Sequence, residues 1–193
     1  VILDALGTRL GMFIFIFGWA LDNMGHALAG SFVSLAFWRG LLGSFEAAAI
    51  PGGLKAVAEW FPARERSVAT GVFNMGASLG NMIAPALVAF AILAFGWQSA
   101  FLITGGLSLV FAFIWYALYR SPEQHKRLSA TEAAHILSGE EVDTARPATW
   151  REVVRTRGFW SIAIPRFLAE PAWQTFNFFI PLYLVMVWNF DLK

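Results

Sequence analysis

Continuous apolar stretches dominate the chain, and they do not alternate with polar positions. The stretch 67–119 contains no Asp, Glu, Lys or Arg, and it is more than twice as long as the roughly 20 residues with which a helix crosses a bilayer. Backbone groups inside lipid must be hydrogen-bonded within the protein, so stretches of this length predict helices rather than strands. Five spans are predicted, at residues 10–28, 32–58, 68–95, 99–119 and 159–187.

The composition agrees with a membrane protein and argues against several other classes. Hydrophobic residues make up 58% of the chain and charged residues 14%, against roughly 45–50% and about 25% in soluble domains. The net charge is +1, cysteine is absent, and the three histidines lack metal-ligand spacing. These features argue against a nucleic-acid surface, a disulfide framework and a metal site. We therefore expect an all-α polytopic transmembrane helical bundle in the lipid bilayer, with no metal, cofactor or nucleic-acid partner.

The basic residues indicate an orientation. Eleven of the 14 Lys and Arg residues lie at the chain start, around the connector between the second and third spans, or in the connector 120–158. Loops rich in Lys and Arg stay on the cytoplasmic side, so the Val1 end and the 120–158 connector are predicted to be cytoplasmic and Lys193 external. The chain starts without Met, shows no signal peptide and has an odd number of spans, and we expect an internal piece of a longer protein.

The connector 120–158 predicts two short helices, each opened by a capping box, in which a hydroxyl and a carboxylate satisfy the first backbone N–H groups. The capping residues are Ser129 with Glu132 and Thr149 with Glu152. The first helix is expected to run through Leu137 and end at Gly139, and the second to lie on the membrane surface. Residues 140–147 between them are expected to form a linker.

Two ionisable residues in the second predicted span carry most of the chemical information. Arg39 and Glu46 are seven residues apart, which on a helix places them about 20° apart around the axis and about 10 Å apart along it. At an effective dielectric constant of 20, their charges interact by roughly 1.7 kcal/mol. A permanent cation for an anionic ligand and an acid that takes and releases a proton predict a proton-linked anion site. The alternative is a structural ion pair with another helix.

Polar residues in the other spans are weaker signals. The stripe Arg166, Glu170, Gln174 and Asn177 runs along the fifth span and indicates either a water-filled path or an ion pair whose arginine reaches the membrane surface. Asp22 and His26, four residues apart beside Asn23, form either a local pair or part of an outer gate. In the third span, Gly76 and Gly80 have the spacing of a close helix contact, with Asn74, Ser78 and Asn81 nearby.

Four segments of the chain carry motifs of a known protein family. Residues 3–9 (LDALGTR) are similar to the end of the loop signature between helices two and three of the major facilitator superfamily. Residues 38–66, which begin WRGLLGSFEA and contain KAVAEWFP, resemble its anion:cation symporter branch. Residues 119–125 (YRSPEQH) and 167–173 (FLAEPAW) look most like the hexuronate transporters of that branch. The sequence departs from these patterns at Ala5, where the loop signature has a basic residue that contributes to the gate contacts. It also departs at Glu170 and Gln174, and these two changes leave the identity of the sugar acid open.

The resemblance implies that the five spans are helices three to seven of twelve. Residues 1–119 are then the later part of the N-terminal six-helix half, residues 120–158 the cytoplasmic connector between the halves, and residues 159–193 the first helix of the C-terminal half. It also implies proton-coupled uptake of a hexuronate across the inner (plasma) membrane, without enzymatic catalysis. The expected partners are a small organic anion, a proton, the bilayer and the remaining helices.

The resemblance assigns roles to individual residues. Arg39 is similar in position to an arginine of helix four that recognises substrate, and Glu46 to a glutamate of helix four that couples the proton. The further candidates for substrate contact are the polar residues Asn74, Ser78, Gln174 and Asn177. The candidates for a gating or structural motif are Asp4, Gly7, Arg9, Glu65 and Arg66.

Three alternatives stay open at this point. The symporter branch also carries other organic anions, including aldonates, tartrate-like acids and phthalate-like acids. A membrane-embedded enzyme would need paired acids, a metal cluster or a nucleophile facing one cavity, and the sequence shows none. A structural or signalling membrane subunit is disfavoured by the polar stripes in the second and fifth spans, because ionisable groups in lipid are costly.

Overall fold

The computed structural model describes residues 2–125, 128–137 and 149–188, and every secondary-structure element among them is helical. The longer helices are α1 (Ile2–Gly25), α2 (Phe32–Glu46), α3 (Ala49–Trp60), α4 (Arg66–Phe95), α5 (Trp97–Leu118), α6 (Ala130–Leu137), α7 (Trp150–Arg155) and α8 (Arg157–Trp188). The chain divides into two compact units, Val1–Glu141 and Val142–Lys193. The all-α class is thereby confirmed.

Four segments of the described chain are long and apolar enough to cross a membrane. They are Leu3–Leu28, Phe32–Trp60, Arg66–Phe95 and Trp97–Leu118, and they correspond to the first four predicted spans. The fifth predicted span forms α8, whose 32 residues give a length of about 48 Å at 1.5 Å per residue. Its length is sufficient for a crossing, but its polar stripe lowers its hydropathy and it is not among the four.

The second predicted span is two helices rather than one. α2 ends at Glu46 and α3 begins at Ala49, with a turn between them. Pro51 has no N–H group to donate to the carbonyl of Ala47 and its ring crowds that carbonyl, which disfavours a regular helix through this turn. The break leaves Arg39 and Glu46 on the same helix, α2.

The first predicted span also differs at its start. Helical residues begin at Ile2 rather than near residue 10, and the helix is interrupted at Gly7, where φ is 74° and ψ is 157°. Glycine adopts a positive φ without the steric cost that a Cβ atom would bring. Arg9, predicted to precede the span, therefore lies within α1.

α1 is the central helix of the first unit, because it packs against α5, α2 and α3, while α4 packs against α5 and α3. Glycines allow the close contacts. A Cβ atom built on Gly105 of α5 would lie 2.4 Å from Cγ of Met24 and 2.9 Å from the carbonyl oxygen of Ala20. A Cβ atom built on Gly18 of α1 would lie 2.3 Å from Cε1 of the Phe45 ring on α2. These contacts fix the register of α1 against its neighbours.

Much of the remaining helix surface is apolar and exposed. On α4 the exposed side chains include Val68, Met82 and Leu93. A Cβ atom built at Gly76 or Gly80 would meet nothing within 4 Å, so the close helix contact predicted there is not made within the described part of the chain. Exposed apolar surface of this extent is suited to lipid or to further helices.

The connector helices form where the capping boxes predict them. The Glu132 carboxylate accepts a hydrogen bond from the backbone N–H of Ser129 at the start of α6, and Glu152 accepts one from Thr149 at the start of α7. α6 ends at Leu137, as predicted. The predicted helix stop at Gly139, the linker 140–147 and Lys193 lie outside the described residues.

Candidate functional site

The strongest predicted pair lies on one open face of α2. Arg39 and Glu46 are both exposed, and within the described chain neither makes a hydrogen bond or ion pair. Gly40 and Gly43 lie beside them, and a Cβ atom at either position would meet nothing within 4 Å. Glu46 is the last residue of α2, so the carboxylate stands next to the break before α3. The face combines a cation, an acid and small residues that leave room for a ligand.

The other predicted substrate contacts are on different helices. Asn74 and Ser78 are exposed on α4, where the Ser78 hydroxyl donates to the Asn74 carbonyl oxygen at 3.1 Å. α4 packs on α5 and α3, whereas α2 packs on α1, so the packing described does not bring these two residues against Arg39. Their role in substrate contact stays a prediction.

Gln174 and Asn177 lie on α8 in the second unit, where they continue the predicted polar stripe. Arg166 and Glu170 pair directly, with Nη2 and Oε2 2.7 Å apart, and Gln174 donates to the Glu170 carboxylate at 3.3 Å. All of these groups except Glu170 are exposed, and Glu170 is partly buried. The local ion pair is formed, and the substrate contacts of Gln174 and Asn177 stay predictions.

A cavity between four helices of the first unit is unsuited to a sugar acid. It has a volume of about 760 Å³ and is lined by apolar and aromatic side chains of α1, α3, α4 and α5, among them Met12, Trp19 and Phe73. A hydroxylated anion needs placed polar groups to replace its hydration. The open face of α2, which has a cation, is therefore the better candidate for the substrate site.

The predicted gating residues gather where α1 starts and where α3 and α5 end, which we call the connector end. The ammonium of Lys55 lies 2.5 Å from Oδ1 of Asp4 and donates to the Leu3 carbonyl at 3.2 Å. Arg9 donates twice to the Tyr116 carbonyl, from Nε at 2.9 Å and Nη2 at 2.8 Å. The Arg9 guanidinium also lies 4.3 Å from the centre of the Tyr116 ring. Asp4 and Arg9 thus tie α1 to α3 and α5.

Glu65 and Arg66 hold the turn between α3 and α4. Arg66 donates to the carbonyl oxygens of Phe61 at 3.0 Å and Ala58 at 2.9 Å, which satisfies the C-terminal carbonyls of α3. The carboxylate of Glu65 lies 3.0 Å from Nε2 of His135 on α6. These two residues therefore tie the connector to the end of α3.

Three residues that the sequence analysis did not single out as site residues form a cluster at the connector end, which we call the inner cluster: Thr8, Glu59 and Tyr119. The Glu59 carboxylate accepts a hydrogen bond from the Thr8 hydroxyl through one oxygen and from the Tyr119 hydroxyl, at 2.5 Å, through the other. Burial, followed by the hydrogen bond to the Glu59 carboxylate and its charge, raises the pKa of Tyr119 above its usual range. The available signal was Glu59 itself, an acid directly after the end of the predicted span 32–58.

A buried polar pair lies at the opposite end of α1. The residues Asp22 and His26 have relative exposures of 2% and 0%. His26 Nδ1 lies 3.0 Å from the Asp22 carbonyl oxygen and 3.9 Å from Asp22 Oδ2, so the ring bonds the backbone rather than the carboxylate. Beside them Asn23 donates to the hydroxyl of Thr104 on α5 at 2.8 Å.

Comparison with known proteins identifies one family and several similar transporters. The sequence profile of the Major Facilitator Superfamily matches residues 1–192. The chain is 53% identical to the galacturonate transporter of Dickeya chrysanthemi and 50% identical to the hexuronate transporter of Escherichia coli K12, with the whole chain covered in both. It spans 57% and 45% of the lengths of these relatives. A D-galactonate transporter of Escherichia coli O6:H1 is 33% identical over 71% of the chain and 32% of its own length.

Proposed function

Because the chain belongs to the Major Facilitator Superfamily, we propose that it is part of a multi-pass secondary transporter that carries a hexuronate together with a proton. The relatives named for galacturonate and hexuronate transport match the whole chain at 50–53% identity. The observation that carries the proposal is the position of Arg39 and Glu46 on one open face of α2.

Arg39 supplies the site for the substrate carboxylate. Its guanidinium keeps its charge at every physiological pH and presents parallel N–H donors that match the two oxygens of a carboxylate. Glu46 lies about 10 Å further along the helix, which is too far for a direct ion pair with Arg39. We propose that a six-carbon acid binds here with its carboxylate on Arg39 and its hydroxyl groups toward Glu46.

Glu46 supplies the coupling to the proton. When the Glu46 carboxyl is protonated, the positive charge of Arg39 attracts only the substrate anion. When Glu46 is ionised, its carboxylate and the substrate carboxylate compete for the charge of Arg39. Proton and substrate binding therefore favour one another, as linkage requires. Release of the proton toward the side of lower proton activity then weakens substrate binding on that side. We propose that this side is the cytoplasm, where the Val1 end and the 120–158 connector lie by the positive-inside rule.

We propose that the contacts between helices at the connector end break and re-form during transport. Asp4, Gly7 and Arg9 on α1, and Glu65 and Arg66 at the start of α4, join helices that must shift if access to the α2 face alternates. Each of these groups bonds across to another helix or turn, except Gly7, which provides the kink in α1. We propose that these contacts hold one inward-closed state, and that the bilayer is the inner (plasma) membrane.

Transport in proteoliposomes tests the proposal. The full-length protein that contains this chain is expected to accumulate radiolabelled galacturonate when the outside is acidic and not when the pH gradient is collapsed. Glu46→Gln is expected to abolish accumulation and keep exchange of internal for external galacturonate. Glu132→Gln, which alters a carboxylate of the connector helix α6, is the matched control. Accumulation by Glu46→Gln at the wild-type level would contradict the coupling role.

A second candidate substrate class is supported by the D-galactonate transporter, which is 33% identical. An aldonate has a carboxylate and a hydroxylated chain like a hexuronate, so Arg39 would hold it in the same way. Competition experiments separate the two classes. Galactonate that displaces labelled galacturonate at equal or lower concentration would assign the site to aldonates, and weaker displacement would assign it to hexuronates.

A further inference from the structure

We propose that α7 and the first turns of α8 form a binding site for the headgroup of an anionic phospholipid at the membrane surface. The inference goes beyond the proposed function, because it concerns the lipid around the protein and not the transported anion. It uses only residues of the second unit, Val142–Lys193.

The corner between the two helices is fixed by hydrogen bonds. A single residue, Thr156, lies between the end of α7 and the start of α8. Its hydroxyl donates to the Val153 carbonyl at 2.7 Å and accepts from the N–H of Phe159 at 3.3 Å. Trp160 donates through Nε1 to the Val154 carbonyl at 2.8 Å. These bonds join the last turn of α7 to the first turn of α8, so the side chains of the two turns have a defined arrangement.

Two arginines of α7 share one side of the helix. Arg151 and Arg155 are four residues apart, which makes them neighbours on one face, and both line a single pocket with Trp150 and Val154. Both arginines are exposed, and neither has a hydrogen bond or an ion pair among the described residues. Guanidinium groups bind phosphate oxygens through parallel N–H donors. The pocket therefore has the donors that a phosphate group needs.

The neighbouring acid groups are engaged elsewhere. Glu152 is the one acid of α7, and its carboxylate accepts the backbone N–H of Thr149 at 2.9 Å. Further along α8, Arg166 is paired with Glu170, with Nη2 and Oε2 2.7 Å apart, so the charge of that arginine is already matched. Arg157, the first residue of α8, adds a third exposed guanidinium to the two of α7. The positive charge of this corner is thus left for an anion.

Aromatic rings beside the arginines indicate the level of the membrane surface. The rings of Trp150 and Phe159 have centres 5.7 Å apart, and those of Phe159 and Trp160 have centres 5.3 Å apart. Trp150 is 72% exposed and Trp160 is 48% exposed. Tryptophan is enriched at membrane–water interfaces because its ring is amphipathic, and a short helix with arginine and tryptophan side chains suits that level.

The combination favours a phospholipid over a free anion. Ile162, Ala163 and Phe167 are among the residues of a second pocket, on α8, which shares Phe159 with the aromatic rings. A free phosphate ion would use the arginines alone. An anionic phospholipid would place its phosphate on the arginines and its acyl chain on the apolar side chains, and basic residues beside a membrane helix attract anionic lipids.

Hydrogen–deuterium exchange of the full-length protein in lipid nanodiscs tests the site. Peptides that cover residues 149–160 are compared in discs of phosphatidylcholine alone and in discs with a rising fraction of phosphatidylglycerol. We expect phosphatidylglycerol to protect these peptides. Each arginine beside an anionic headgroup accounts for roughly a fivefold change in affinity, so Arg151→Gln should raise the half-maximal fraction of phosphatidylglycerol by that factor, and Arg151→Gln with Arg155→Gln by about 25-fold.

Arg64→Gln is the matched control for the single substitution. Arg64 is an exposed arginine of the turn between α3 and α4, and it has no hydrogen bond or ion pair in the described part of the chain. Its substitution removes the same charge from the protein without touching the pocket on α7. We expect Arg64→Gln to keep the wild-type response to phosphatidylglycerol.

The comparison of the two lipids in the wild-type protein does not depend on the folding of any variant. Equal protection of residues 149–160 in both lipids, a wild-type response of the doubly substituted protein, or loss of the response in Arg64→Gln would overturn the inference. Protection by millimolar inorganic phosphate in phosphatidylcholine discs would assign the arginines to a free anion and would also overturn it. No measurement uses galacturonate, so a failure of galacturonate transport would contradict the proposed function alone.

Discussion

The inner cluster makes a quantitative prediction about the contact between α3 and α5. Tyr119→Phe removes one of the two hydroxyl groups that bond Glu59 and leaves the bond from Thr8 in place. A hydrogen bond to a charged, partly buried group contributes about 1.5–3 kcal/mol. Local opening of the α5 end should therefore become roughly 10-fold to 150-fold more frequent, since each 1.4 kcal/mol is a factor of ten.

Hydrogen–deuterium exchange of the full-length protein measures this opening directly. Peptides that cover the end of α5 are expected to lose protection by that factor in Tyr119→Phe, while peptides from the start of α5 keep theirs. A double-mutant cycle with Glu59→Gln isolates the pair, because the effect of Tyr119→Phe should shrink once the carboxylate is gone. Wild-type exchange at the α5 end in Tyr119→Phe, or effects of the two variants that simply add, would refute the role of this hydrogen bond.

The remaining predictions concern the same cluster at high pH, the α1–α5 contact and the cation. The pKa of Tyr119 is raised in the folded protein. The stabilisation that the neutral Tyr119 hydroxyl gives the fold is therefore complete below its unfolded pKa of about 10 and is lost as the pH rises through the folded pKa. In Tyr119→Phe, the melting temperature should no longer show this decrease at alkaline pH. Gly105→Ala, whose Cβ would lie 2.9 Å from the Ala20 carbonyl oxygen, should destabilise by about 1–3 kcal/mol, and Gly106→Ala, which meets nothing within 4 Å, should not. Arg39→Lys keeps the charge but not the planar fork, so its galacturonate Kd should rise roughly tenfold, or about 1.4 kcal/mol; an unchanged Kd would remove Arg39 from the site.

The sequence was sufficient for features set by local chemistry. Long apolar stretches predicted the four spans, because backbone groups in lipid must be bonded within a helix. The two capping boxes predicted the starts of α6 and α7, because the partners are three residues apart. The common face of Arg39 and Glu46 also followed from spacing along one helix, and the break before α3 does not separate them.

The tertiary structure decided which helix faces are buried against protein. In an apolar span both lipid and protein favour the same side chains, so hydrophobic periodicity does not mark the packed face. The inner cluster joins Thr8, Glu59 and Tyr119 across separations of 51 and 60 residues, and Asp22 and His26 are buried because α2 and α5 close over α1. Close contacts at Gly25 and Gly105 bring α2 and α5 against α1 near Asp22 and His26. Both placements exist only once the helices have assembled.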